Sequence, residues 1–231
     1  MPNDLAHPAP VVIFFYGGGW ESGSKDDYLF VGQGLAANGF VVVIADYPLY
    51  PEVRYPAFLQ DSAEAVRWTA DHAAGLGGDK RRIYIVGHSA GAYIAAMLVL
   101  DREWLGAVGL DPRRDIRAMV GLAGPYHFLP LHSNTLKDIF GPESRRPLTQ
   151  PIHYVDGDAP PMLLVTGDAD KTADPGNSAR LAQRILEKGG VVVQKRYAGI
   201  SHIPLVGALA PPLHFLAPTL DDTLQFIHDH P

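Results

Sequence analysis

The chain has 231 residues, a formal charge of −6 and no cysteine. That length suits one domain. The missing cysteine excludes disulfides, thiolate metal sites and a cysteine nucleophile, and the mildly acidic balance gives no global field for nucleic acid.

Six short β-rich runs follow in chain order: Val11–Phe15, Val41–Ala45, Ile83–Val86, Ala118–Leu122, Met162–Thr166 and Val191–Lys195. Most are continuously apolar, as in strands buried on both faces, whereas the last alternates and reads as an edge strand. Helical patterns lie between them. Ser24 and Asp27 form a capping-box pattern ahead of Tyr28–Ala37. Leu59, Ala63, Val66, Ala70 and Ala73 recur on one helix face. Ala90–Leu100 reads as a buried helix, and Asn177–Lys188 stops at Gly189-Gly190. Thr219 with Asp222 is expected to cap a final helix. Strands alternating with helices imply parallel βαβ units, hence a doubly wound, mostly parallel α/β sheet of about six strands in one domain spanning 1–231. Residues 124–160, rich in proline and scattered aromatics, break this rhythm and suggest a small lid segment.

Ala92–Leu100, the longest apolar run, has about half of the ~20 residues a membrane-spanning helix needs. Met1-Pro2-Asn3-Asp4 has neither the basic start nor the apolar stretch of a signal peptide. A cytoplasmic protein with no membrane partner and no nucleic-acid partner is therefore expected. The pairs in Lys80-Arg81-Arg82, Arg113-Arg114 and Arg145-Arg146 read as solvated loop charges.

Gly87-His88-Ser89-Ala90-Gly91 matches G-x-S-x-G between a strand and a helix. A serine on such a tight strand-to-helix turn is lifted out of the sheet, with the helix N-terminus behind it favouring developing negative charge. Upstream, Tyr16-Gly17-Gly18-Gly19-Trp20 follows the first strand. Three glycines let a backbone curl inward and point N–H groups at a ligand, as an acyl-transfer enzyme needs for its oxyanion. No phosphate-binding frame accompanies them.

These two segments, together with Asp46-Tyr47-Pro48-Leu49-Tyr50-Pro51-Glu52, Tyr55-Pro56-Ala57, Asp61, Gly167-Asp168-Ala169-Asp170 and Ser201-His202, resemble the α/β-hydrolases. More narrowly, the chain is similar to hormone-sensitive-lipase-like carboxylesterases and to the related feruloyl-esterase and arylformamidase-like enzymes. The resemblance spans nearly the whole chain. It implies an oxyanion hole made by the N–H groups of Gly18, Gly19 and Ala90, and loop-holding roles for Asp46 and Asp61. Tyr16 stands where the family usually has histidine. The backbone donors do not depend on that side chain, but the anchoring of the loop does.

Serine needs an adjacent base. Of ten histidines, His7, His228 and His230 are terminal and His72 falls on a helix. The position of His88 directs it away from the attack side of Ser89. His127, His132, His153 and His214 sit in irregular segments. His202 follows the last strand, at the end of the sheet where catalytic groups collect, and is the expected base. Asp168, Asp170 and Asp174 all follow the fifth strand. The family pattern G-x-x-D implies Asp170, with Asp168 and Asp174 as alternative acids whose other reading is turn formation and helix capping. The order Ser89, Asp170, His202 is the order of this fold.

Trp20, Tyr126, Phe128 and Ile203, with Leu129, Leu131 and Phe140, are candidates to line a substrate pocket, and core packing is an equal expectation for each. No metal or cofactor is expected. The reading is therefore a serine hydrolase of small, short-acyl esters. Arylformamidase-type amide hydrolysis, carbohydrate acetyl or feruloyl esterase activity and a non-catalytic binding protein are the alternatives. Family members usually carry two further strands ahead of the glycine loop, where this chain has Met1–Pro10. Val41–Ala45 is then an apolar sheet edge, expected to be covered by a second copy in a homodimer or by the N-terminal arm.

Overall fold

A computed structural model describes residues 8–231. Its centre is a six-stranded sheet in which every neighbouring pair is parallel. The strands are β1 (Ala9–Phe15), β2 (Val41–Ile44), β3 (Gly78–His88), β4 (Ala118–Leu122), β5 (Met162–Gly167) and β6 (Val192–Tyr197), in spatial order β2-β1-β3-β4-β5-β6. β1, β4 and β5 are almost wholly buried because helices leave them no solvated face. β6 lies at one edge with most of its residues exposed or half-buried, which accounts for its alternating sequence.

The flanking helices are α1 (Leu29–Ala36), α2 (Ala57–His72), α3 (Ala90–Leu100), α4 (Arg102–Ala107), α5 (Pro112–Asp115), α6 (Asn134–Phe140), α7 (Gly176–Glu187), α8 (His202–Gly207) and α9 (Thr219–Asp229). All eleven residues of α3 are buried. Its Ala and Gly residues let it sit close to the sheet, and its larger side chains fill the space towards α2 and α4. α2 buries Phe58, Leu59, Ser62, Ala63, Val66 and Thr69, the 3.6-residue stripe of a surface helix. This is an α/β-hydrolase fold. Among the described residues no helix is long and apolar enough to cross a membrane.

Several element ends differ from the sequence reading. β3 begins at Gly78, five residues early, because the sheet pairs Ala9 with Gly78 despite the polar run Asp79–Arg82. A short 3-10 turn, Lys25–Tyr28, precedes α1, and the Asp27 carboxylate accepts the Ser24 N–H at 3.0 Å. Thr219 is not a cap. It is the first residue of α9, preceded by Pro218, and its buried hydroxyl has no hydrogen-bond partner among the described residues.

Two topological facts position the site. The chain leaves β1 towards β2 and returns to place β3 on the other side of β1, so the crevice beyond the C-terminal ends of β1 and β3 is the switch point where such folds bind ligands. Phe15 pairs with Gly87 across these two strands. The glycine loop and the serine elbow therefore emerge side by side.

β2 pairs with β1 alone among the described residues, and α1 packs against it. Val42, Val43 and Ile44 are half-buried. A cavity of about 380 Å³, lined by Leu29, Gly32, Ala36, Val42 and Ile44 with Lys25 and Asp26, runs beside this edge. The expected covering by the N-terminal arm falls on residues 1–7, outside the described residues.

Candidate active site

Ser89 has φ 55° and ψ −121°, a strained conformation for a residue with a Cβ. The surrounding glycines show why the chain tolerates it. A Cβ on Gly87 would lie 2.3 Å from the Gly91 carbonyl oxygen, and one on Gly91 would lie 2.0 Å from that of Phe15. The turn closes only because neither residue has a side chain. The Ser89 N–H donates to the Leu122 carbonyl at 2.8 Å, fixing the elbow to β4.

The glycine loop is packed onto this elbow. A Cβ on Gly17 would lie 2.9 Å from Ser89 Cβ, and one on Gly18 would strike the Ser22 carbonyl oxygen at 1.9 Å. Gly18, Gly19 and Trp20 all have positive φ, and the Gly18 carbonyl accepts from the N–H groups of Glu21 and Ser22 at 3.0 and 3.1 Å. Among the described residues the N–H groups of Gly18, Gly19 and Ala90 donate to no protein acceptor. Tyr16 supplies the anchoring that the sequence left open. Its ring stacks on Tyr47 and Tyr28 with centroids 4.7 and 5.6 Å apart. Its hydroxyl donates to Asp46 at 3.3 Å, and its carbonyl accepts from the Tyr47 hydroxyl at 2.8 Å. Burial and the neighbouring Asp46 push the Tyr16 phenol up to about 12, so it stays a donor. Asp46 also accepts from the Lys25 N–H at 2.7 Å and pairs with the Lys25 ammonium. Asp61 is an exposed surface carboxylate.

The three candidate acids have distinct positions. Asp170 is buried. Its Oδ1 accepts from the N–H groups of Thr172 and Ala173 at 2.8 and 3.0 Å, and its Oδ2 lies 2.7 Å from His202 Nδ1. Asp168 accepts the Gly199 N–H at 2.6 Å. Asp174 accepts the Gly176 N–H at 2.9 Å and pairs with Arg180 at 2.9 Å; these contacts hold its carboxyl below the usual range. The His202–Asp170 contact is produced by stitching two loops together. Asp168 N–H donates to Tyr197, and Ala169 N–H donates to Ile200. Gly167 permits the second of these approaches, since a Cβ there would meet the Ile200 carbonyl oxygen at 2.0 Å. His202, 8% exposed, is the first residue of α8. Ser89 Oγ forms no hydrogen bond to His202 among the described residues; catalytic contacts of this kind commonly close only around substrate.

Ser89 opens into a cavity of about 540 Å³. Gly19, Trp20 and Ala90 form one wall; residues from the 125–136 segment, including Phe128, Leu129 and Leu136, form another. Trp20 is buried beneath it in an aromatic cluster, edge-on to Tyr93 and Phe140 at 5.2 and 4.9 Å and stacked on Phe128 at 5.9 Å. Two sequence candidates are corrected. Tyr126 is fully buried outside this cavity, its phenol pressed against Gly121 and Gly124. Ile203 is 66% exposed and is not part of the lining. Leu131 and Phe140 belong to the core.

His127, His132, Asn177 and Arg180, which the sequence reading did not select, do line the cavity. The Arg180 guanidinium reaches the His127 carbonyl at 3.1 Å as well as Asp174, and the Asn177 carboxamide oxygen accepts from the N–H groups of Tyr126 and His127. They tie the irregular segment to α7. No periodicity or motif marks such a strut.

Among known proteins, a probable isoprenylcysteine alpha-carbonyl methylesterase of Arabidopsis thaliana is 29% identical over 226 residues, 89% of this chain and 48% of the relative. The carboxylesterase NlhH of Mycobacterium tuberculosis is 43% identical over 90 residues, 38% of this chain and 28% of the relative. The chain thus spans about half or less of the length of these relatives. The apo and propionate-bound structures of Thermogutta terrifontis esterase 2 superpose with a TM-score of 0.80 at 26% identity, covering 99% of this chain and 87% and 86% of theirs. The BD-FAE family matches residues 1–185, the stretch that carries the glycine loop, the elbow and Asp170, and the chain belongs to that family.

Proposed function

We propose that the protein is a serine carboxylesterase that cleaves small, short-acyl esters through Ser89, His202 and Asp170. The observation that carries this reading is the buried His202–Asp170 pair at 2.7 Å beside a strained elbow whose serine opens into a cavity. Asp170 holds the imidazole with its proton on Nδ1, leaving Nε2 free as the base. Ser89 Oγ attacks the ester carbonyl carbon and its proton passes to His202. The carbonyl oxygen, now negative, takes the free N–H groups of Gly18, Gly19 and Ala90. His202 protonates the departing alcohol, water attacks the acyl-enzyme by the same route, and the acid leaves as Ser89 regains its proton.

The short-acyl preference rests on the cavity. Trp20, Phe128 and Leu136 line a space of about 540 Å³, within the range that takes a small-molecule ester. Propionate in the related Thermogutta esterase supports the same size class. The test is a series of p-nitrophenyl esters. Acetate to butyrate should be cleaved fastest, and Ser89→Ala should remove the activity; faster cleavage of octanoate or longer would refute the size assignment. A homodimer through the Val41–Ile44 edge, and a cytoplasmic setting compatible with the cysteine-free chain, complete the proposal.

A further inference from the structure

The mechanism leaves one buried titratable group beside the base unused. His88 is 1% exposed. Its ring lies 4.6 Å from that of His202, tilted by 46°, and its Nε2 is 3.3 Å from the His202 carbonyl oxygen. On the other side it meets the oxyanion loop, where a Cβ on Gly17 would fall 2.9 Å from His88 Nδ1. Among the described residues Nδ1 itself has no hydrogen-bond partner. A carbonyl facing Nε2 requires the proton to sit there, so Nδ1 carries the lone pair.

We propose that His88 is a positioning residue for the base: its neutral imidazole, donating from Nε2, ties the backbone of His202 to the nucleophile elbow and seats the base's ring against its own. The inference rests on the acyl-transfer reading above. The need for such a tie follows from the local chain. His202 begins a six-residue helix after the turn Ala198–Ser201, whose residues are exposed or half-buried. Asp168 and Ala169 stitch the turn at Gly199 and Ile200, and Asp170 holds the ring of His202 at Nδ1, but none of these contacts is made to the main chain of His202 itself. His88 supplies the second hold from a residue adjacent to Ser89, so base and nucleophile share one reference point. The same ring spaces Gly17, keeping the oxyanion loop in register with both. Burial and the nearby His202 push the His88 imidazole down to about 3, so it stays neutral at working pH and puts no second cation beside the imidazolium that forms during catalysis.

A residue that merely filled space would be replaceable by leucine. The test compares His88→Leu and His88→Gln, whose amide N–H can reach the same carbonyl, in steady-state hydrolysis of p-nitrophenyl acetate and in the rate of labelling by a fluorophosphonate. His88→Leu should lower kcat about 10–100-fold with KM within about twofold, and slow labelling in proportion, because the base is misplaced while the pocket is intact. His88→Gln should recover to within about threefold of the parent rate. A folded His88→Leu with parental kcat, or a folded His88→Gln as impaired as His88→Leu, overturns the proposal. If His88→Leu does not fold, His88→Asn replaces it. Its amide lies where Nδ1 was, so it should be impaired while Gln is active, and equal rates for Asn and Gln overturn the assignment. A parent chain that neither hydrolyses nor labels refutes the acyl-transfer reading itself, a result distinct from any of these.

Discussion

Asp170 and His88 flank the same imidazole, and each makes a separable prediction. Asp170→Asn should keep the fold, because its retained oxygen can still accept from Thr172 and Ala173. It should lower kcat by about 10³–10⁴ by presenting the wrong partner to His202 Nδ1. Steady-state kinetics with a thermal melt separates these effects. His88 makes the fold sensitive to acid. Its pKa falls from 6.5 to about 3 on burial, so between those values the unfolded chain binds a proton the native chain refuses, and stability declines as pH falls. Between pH 7 and pH 4 the parent should lose roughly 3 kcal/mol more than His88→Gln in urea unfolding. Equal losses would show that the imidazole protonates without unfolding. Neither role of His88 was legible in the sequence. Its position in G-x-S-x-G turned attention to what it does not do to Ser89, whereas its partner is His202, 114 residues away.

At the scale of elements, the strands were readable because burial on both faces writes them as continuous apolar runs. Their ends were not. β3 extends back to Gly78 because Ala9 pairs with Gly78, and the polar Asp79–Arg82 fall in the register break between that pair and Val11–Ile83. The elbow was readable as a motif and its necessity only in three dimensions, since the glycines face backbone carbonyls from their own turn and from β1. Gly91→Ala should therefore cost about 3 kcal/mol or more, as the new methyl meets the Phe15 carbonyl oxygen. Gly75→Ala, where nothing among the described residues lies within 4 Å and φ is ordinary, should shift stability by about 0.5 kcal/mol or less. Denaturant titrations of the two variants check the contrast. The 124–160 segment defeated sequence reading for a different reason. Pro125, His127, Phe128, Leu129 and Leu136 join the cavity through Asn177 and Arg180, and such tertiary ties leave no period. Of the lining candidates, Tyr126 is packed in the core and Ile203 lies on the surface, since an aromatic or aliphatic residue near a site is as often core or surface as lining.

At the scale of the molecule, the sheet order makes chemistry and assembly separable. The glycine loop, the elbow, Asp170 and His202 all lie at the C-terminal ends of β1, β3, β5 and β6, whereas β2 is the apolar edge at the opposite side of the sheet from β6. Val41–Ile44 carries no lysine, proline or bulge to discourage pairing. A second copy pairing there should give a dimer by light scattering. Val43→Lys should return it to a monomer with activity within about twofold of the parent. A monomeric parent chain with a bare β2 edge would remove the dimer from the account and leave the site untouched. The nucleophile is the claim on which the rest depends. Intact mass measurement after treatment with a fluorophosphonate reads it directly. The parent chain should take up one adduct, mapped to Ser89, Ser89→Ala should take up none, and His202→Ala should label markedly more slowly. A stoichiometric adduct that persists in Ser89→Ala, or a folded parent chain that takes up none, would contradict that assignment.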